Sequence, residues 1–283
     1  MSEVVILDGA WGTELQARGL AMGDCPDEWN LSHPEQVVSV GAAYAEAGSQ
    51  IILTNTFRAN RIALAGYGLA DRVVELNTAG VQHSKRGAAS STNGRARVFA
   101  SVGPSGKVLA AGETSEAALR EAFEEQINAL AAAGADGIVI ETMSEPAEAE
   151  IAIAAARQTG LTIVASMAFD AGRKRDRTMT GATPEQAAVR LAEAGADIIG
   201  ANCGCGIEAY VGIAARLRAA TTKPVWIKAN AGLPEMVEGQ ARYRMSPTEF
   251  AGYARALREA GAGYIGGCCG TNPEFIRALR AVL

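Results

Sequence analysis

A chain of 283 residues and 29.3 kDa is long enough for one large domain or two ordinary ones, and 48% hydrophobic with 20% charged residues excludes a disordered chain. Twenty-six Lys and Arg against 31 Asp and Glu give a net charge of −5 without any basic block, so no nucleic-acid partner is expected and a small molecule is favoured. No apolar run approaches the ~20 residues that span a bilayer, so no membrane partner is expected.

The first segment, Met1 to Asp8, has no basic region and meets an acid after four apolar residues. It reads as a strand over about 4–8 rather than an export signal, which points to the cytoplasm. From there one phrase recurs four times: a helical stretch ends in Ala-Gly and runs into a short apolar strand. It occurs at 47–53, 133–139, 194–199 and 260–265. The glycine suits the left-handed turn that ends a helix, and the continuous apolar run suits a strand buried on both faces. Further strands at about 98–102, 162–168 and 225–229 interleave with these, each followed by a helical stretch.

Helix starts are marked by three sequences read as capping boxes: Ser32 to Glu35, Thr183 to Gln186 and Ser246 to Glu249. Asn272-Pro273-Glu274 opens the last helix in similar style. Eight strand-helix units in one chain without a linker predict a single (β/α)8 barrel over residues 1–283, for which ~250 residues is typical. A doubly wound sheet would carry a glycine-rich turn after its first strand, and none is present. The irregular stretches 18–31, 57–69, 103–114, 170–182 and 230–246 nearly all follow strands, which places them on the C-terminal face where barrels build their sites.

The strand ends that meet at that face are Asp8-Gly9, Thr54 to Thr56, Ser101, Glu141-Thr142, Asn202-Cys203, Lys228 to Asn230 and Cys268-Cys269. Four of the five cysteines lie in the last third, an odd total that does not suit a disulfide framework. Three thiolates with one open position is the ligand count of a catalytic zinc site. Adjacent Cys268 and Cys269 could both bind one ion only if the backbone turns at the strand end, which Gly266, Gly267 and Gly270 permit. On spacing alone, a metal site and three small buried hydrophobes are equally good readings, and a glycine-built phosphate cradle is a third. Cys25 and Cys205 read as core residues.

Read whole, Gly200 to Gly204, Gly266 to Thr271 and Asp8 to Thr13 resemble the homocysteine S-methyltransferase family. That family includes betaine- and S-methylmethionine-dependent enzymes and the homocysteine module of cobalamin-dependent methionine synthase. Asn30 to Glu35, Thr54 to Phe57, Ser101 to Pro104 and Asn230 to Pro234 extend the resemblance over essentially the whole chain. It implies a zinc-dependent barrel in which Cys203, Cys268 and Cys269 hold the metal and homocysteine sulfur takes the fourth position. The thiolate so formed attacks a methyl group, with no general base required.

Glu141 matches the family's amine-binding glutamate; its alternative is a buried carboxylate paired with Lys228. Asp8 and Gly9 match the motif lining the same pocket, where backbone N–H groups would meet the substrate carboxylate, and a purely structural hydrogen bond is the competing role for Asp8. Asn202 reads as support beside a ligand. Betaine-using members resemble one another in a tyrosine directly after that glutamate, and Thr142 stands there instead, which argues against betaine. Only twelve residues follow Thr271, so the donor is expected to be a small onium compound or a methyl-corrinoid on a separate protein. Short loops and Ser101 to Pro104 tilt the expectation toward the corrinoid over S-methylmethionine. Trp11, Trp29 and Tyr67 could instead face a methylated cation. A barrel with zinc as a mere structural clamp, binding an amino acid or phosphate without turnover, is the competing function.

Overall fold

The computed structural model describes residues 3–92, 96–237 and 240–283. Met1 and Ser2, at the start of the segment weighed as an export signal, and Glu238-Gly239, within the 230–246 connection, lie outside the described residues. The strands are β1 (Val5–Ile6), β2 (Ile51–Leu53), β3 (Arg97–Val102), β4 (Gly137–Met143), β5 (Ile163–Met167), β6 (Ile198–Gly206), β7 (Val225–Asn230), β8 (Glu235–Val237), β9 (Gln240–Arg242) and β10 (Ala262–Gly267). β8 and β9 form an antiparallel ribbon. The other eight make one parallel sheet in the order β1-β10-β7-β6-β5-β4-β3-β2. The ring closes between β1 and β2 by a single Leu7–Ile51 bridge, reinforced by the Gln50 N–H on the Ile6 carbonyl at 2.7 Å. This is the (β/α)8 barrel, in one domain.

Alternation along the strands separates two cores. Leu7, Ile51, Leu53, Phe99, Val139, Val164, Ile198 and Trp226 fill the barrel interior, where Trp226 stacks at 6.4 Å on Phe99 and at 5.6 Å on Tyr264. The intervening Ile52, Ala100, Ile138, Ile140, Ile199 and Ile227 pack outward against the helices. Ser101, Glu141, Asn202 and Lys228 lie an even number of residues beyond interior residues of their own strands. They therefore project into the upper barrel, above a floor of apolar side chains.

The helix signals hold in three places and fail in one. Thr183 and Ser246 form reciprocal capping boxes with Gln186 and Glu249, and Asn272 caps the last helix through the Glu274 N–H. Ser32 does not cap the helix Pro34–Ala47. It ends the short helix Trp29–Ser32, and its hydroxyl turns back to the Glu28 carbonyl at 3.2 Å. His33 occupies the cap position without a side-chain capping bond; its ring stacks on Trp29 at 4.3 Å and its Nδ1 lies 2.9 Å from Ser32 Oγ. Among the described residues no helix is long and apolar enough to cross a membrane.

Candidate functional site

β6 and β10 sit on either side of β7, so their ends are two strands apart at the top of the barrel. There the sulfurs of Cys203, Cys268 and Cys269 lie within 4.8 Å of one another, with Cys203 and Cys269 at 3.8 Å. The expected turn at the strand end is present, but it follows the pair: β10 stops at Gly267, and Gly270 has φ +81°. The Cys268 N–H binds the Ala229 carbonyl at 2.7 Å and the Cys269 N–H binds Asn230 Oδ1 at 3.0 Å, so both cysteines are hung from β7. A Cβ on Gly270 would lie 2.2 Å from the Tyr243 ring, which packs against this turn.

The other half of the arrangement comes from Cys203 itself, which the sequence did not flag as unusual. It adopts φ +61°, a left-handed conformation that costs a non-glycine residue on the order of 1–3 kcal/mol. The pairing of β6 with β7 shifts register between Asn202 and Gly206, and the Tyr210 hydroxyl donates to the Cys203 carbonyl. These contacts hold the turn that aims the thiol at the β10 pair. The thiols oppose each other's ionisation. For Cys203, a hydrogen bond with Cys268 favours the thiolate, but the bond with Cys269, burial and the Cys269 charge outweigh it and push the thiol up to about 12. Cys268 is raised further.

Beside the thiols stands a buried charged network. Glu141 accepts from Ser101 Oγ at 2.5 Å, and burial raises its pKa although Lys228 and Ser101 favour the carboxylate. Asn202 is its hub. The Asn202 amide oxygen accepts from Thr142 N–H at 2.8 Å and Ser166 Oγ at 2.7 Å. Its nitrogen donates to Thr142 Oγ1 at 2.7 Å and lies 3.4 Å from Glu141 Oε2 and 3.9 Å from Cys268 Sγ. Asp8 is fully engaged: Oδ1 takes the Lys228 ammonium, while Oδ2 takes Trp11 Nε1 at 2.8 Å and the Leu53 N–H at 2.7 Å. Burial works against the Lys228 charge, but Asp8 and Glu141 more than offset it, so its pKa is raised. Gly9 must lack a side chain, since a Cβ would lie 2.7 Å from both Thr271 Oγ1 and the Tyr44 hydroxyl.

This network lies against one cavity of about 420 Å³, which Asp8 and Asn202, fully buried, support from behind without lining it. Gly9, Glu141, Lys228 and the three clustered cysteines line it from the strand ends, and Trp11, Asp27, Phe57 and Arg58 line it from the connections after β1 and β2. The expectation of short loops is corrected here. The β1 connection runs over residues 8–33 with its own helices, Gly12–Ala17 and Trp29–Ser32, and forms part of the wall. Trp29 and Tyr67, candidates for a cation-facing wall, are elsewhere: Trp29 is buried against His33, and Tyr67 carries the Arg58 guanidinium 5.8 Å from its ring centre. Cys25 and Cys205 are buried, the latter donating to the Phe169 carbonyl at 3.1 Å. Asp27 carried no sequence signal, because it lies in an irregular segment.

A family model described as homocysteine S-methyltransferase matches residues 5–283. The chain belongs to the homocysteine S-methyltransferase family. Among its relatives is a methionine synthase of Mycobacterium tuberculosis, 31% identical over 292 residues; the match covers 99% of this chain but 24% of that protein. The chain thus spans about a quarter of the length of that methionine synthase. A betaine–homocysteine S-methyltransferase 1 of Danio rerio is 30% identical over 298 residues, covering 98% of this chain and 72% of that one. The metallated form of the homocysteine methyltransferase MmuM from Escherichia coli superposes with a TM-score of 0.82 at 26% identity, over 99% of this chain and 96% of that one. Within the family, these relatives are named for methyl transfer to homocysteine or for making methionine.

Proposed function

We propose that this chain, acting as one barrel over residues 1–283, transfers a methyl group to the sulfur of homocysteine and yields methionine, with zinc held by Cys203, Cys268 and Cys269. The observation that carries the reading is the convergence of three thiols on the cavity that also contains buried Glu141. Tetrahedral zinc with Zn–S bonds of ~2.3 Å separates its sulfurs by about 3.8 Å. The Cys203–Cys269 separation of 3.8 Å meets that requirement. When bound, the ion would lower the pKa of a substrate thiol enough to keep it nucleophilic at neutral pH.

The remaining work falls to side chains. Glu141, oriented by Ser101 and Asn202, accepts the substrate's ammonium in a site that water scarcely reaches. Asn202 ties Glu141, Thr142 and Cys268 into one unit, so substrate and metal positions are set together. Asp8 has spent its oxygens on Lys228, Trp11 and Leu53; its part is to hold Lys228 and shape the wall with Gly9. Methyl transfer to sulfur then needs only in-line approach, since the thiol proton leaves on ionisation and no side chain must remove it. The proposed compartment is the cytoplasm, whose reducing poise keeps such thiols free.

The test is metal analysis of the purified protein, followed by methionine formation from homocysteine with S-methylmethionine, methylcobalamin and betaine in turn. One zinc per chain and turnover with S-methylmethionine or methylcobalamin are expected. Absence of metal after zinc loading, or no methionine with any donor, would retire the reading.

A further inference from the structure

The three clustered thiols line the cavity and stay partly exposed there. A methyl donor that enters this space meets the protein's own sulfurs as well as the substrate's. Thiolates that share one metal are chemically alike, so something must set the substrate sulfur apart, or the protein would methylate itself. The surroundings of the thiols supply a difference. Each sulfur has a hydrogen-bond donor from the chain: the Gly204 N–H for Cys203, Asn202 Nδ2 at 3.9 Å for Cys268, and the Tyr243 hydroxyl for Cys269.

Of these donors, Tyr243 is the one brought from farthest outside the strand ends. It follows β9, in the connection between β7 and the helix Pro247–Gly252, and its ring sits on the turn after the cysteine pair where Gly270 leaves room for it. The seated ring fixes where the hydroxyl lies, and that hydroxyl donates to Cys269. A donor on a thiolate draws charge from the sulfur, and the bond weakens as alkylation turns the sulfur into a neutral thioether. It therefore stabilises the thiolate more than the transition state for its methylation. Resting on the methyltransferase reading above, we infer that Tyr243, through its hydrogen bond to Cys269, lowers the nucleophilicity of that sulfur and so keeps the methyl group for homocysteine.

Tyr243→Phe keeps the ring on the turn and removes only the hydroxyl. Zinc-loaded wild type and variant, free of homocysteine, are treated with dilute methyl iodide, and peptide mass spectrometry follows initial methylation at Cys203, Cys268 and Cys269. In that step a lone pair on the Cys269 sulfur forms the new C–S bond, the C–I bond breaks, and its electron pair leaves on iodide. Methylation of Cys269 should be roughly tenfold faster in the variant, as loss of one charge-assisted hydrogen bond implies. The rates at Cys203 and Cys268 should match those of wild type.

A second readout follows the charge on sulfur without any reaction. In the cobalt(II)-substituted proteins, the sulfur-to-cobalt charge-transfer band should move to longer wavelength in Tyr243→Phe, because a sulfur that has lost its donor gives up an electron more easily. A purely structural role would leave the band in place. An unshifted band, equal Cys269 methylation in the two proteins, or a variant that no longer takes up metal overturns the inference. Zinc content and calorimetric homocysteine binding are measured on wild type first: failure there overturns the methyltransferase reading and the inference with it, whereas failure only in the comparison with Tyr243→Phe overturns the inference alone.

Discussion

The strand-built wall of the cavity and its loop-built wall arrive at function by different routes. Ser101, Glu141, Asn202 and Lys228 stand on β3, β4, β6 and β7, where barrel pleating dictates which way each side chain faces and ladder hydrogen bonds hold it there. Asp27, Phe57 and Arg58 belong to connections whose path is set by contacts between loops, such as the Asn55 amide on the Pro26 carbonyl at 2.7 Å and its partner Asn30 at 3.0 Å. The strand wall carries an ion-paired charge; the loop wall carries Asp27, a buried carboxylate with no ion pair among the described residues, although the Arg58 charge favours its ionised form. The difference teaches that a barrel can keep one half of a reaction constant while its connections determine what the other half accepts.

The sharpest way to break the strand wall is at the thiols. Cys203→Ala, Cys268→Ala and Cys269→Ala should each lower zinc affinity by about 200-fold or more, since three-thiolate binding is worth on the order of 10 kcal/mol and one third of it is lost. Zinc competition with a chromophoric chelator measures this, while far-UV circular dichroism should stay unchanged because these groups lie beyond the apolar floor. Cys25→Ala and Cys205→Ala should keep their zinc.

Stability against pH tests the loop wall. Burial, first, raises the Asp27 carboxyl from 3.8 to about 6, despite the Arg58 N–H and charge. The native state therefore binds that proton more tightly than the unfolded chain, and the carboxylate form costs the fold about 3 kcal/mol above pH 6. The cost fades as pH falls through 6 and is gone below 3.8. Asp27→Asn should accordingly be more stable than wild type at pH 7.5, by up to about 3 kcal/mol in urea unfolding, and lose that advantage by pH 4. A variant less stable than wild type at pH 7.5 would mean that Asp27 serves the fold.

Returning to the strand wall, Glu141→Gln should weaken homocysteine by about 10- to 100-fold, the value of a charge-assisted bond of ~1.5–3 kcal/mol, with zinc content unchanged. Calorimetric titration of zinc-loaded protein reads it directly. The smallest effect belongs to neither wall: Thr183→Ala removes the cap of the helix Pro184–Ala194 and should cost about 1 kcal/mol in urea unfolding without altering homocysteine affinity.

The barrel was legible in the sequence because each of its signals is local. An Ala-Gly helix end, an apolar run and a capping box each record the conformation of a few adjacent residues, and eight such units admit few arrangements. The cysteine motifs and Glu141 were legible for a related reason: each stands at the end of a strand, and strand ends in a barrel converge. Where local reading failed, as with Ser32, a tertiary contact had the final say, since the stack of Trp29 on His33 draws the helix start one residue along.

What only the tertiary structure decided is everything that depends on partners distant in sequence. The left-handed turn at Cys203 exists because Tyr210 and the β6–β7 register shift hold it. The commitment of Asp8 to Lys228, 220 residues away, follows from the strand order that sets β1 and β7 on either side of β10. Asp27 lies in an irregular segment that looks like any solvated loop, and its burial appears only once the connections after β1 and β2 have packed over the barrel. Sequence by itself determined the elements and the chemistry at the strand ends, because hydrophobic period and backbone preference act over a few residues. Burial and charge compensation are sums over the whole fold, and no local stretch contains them.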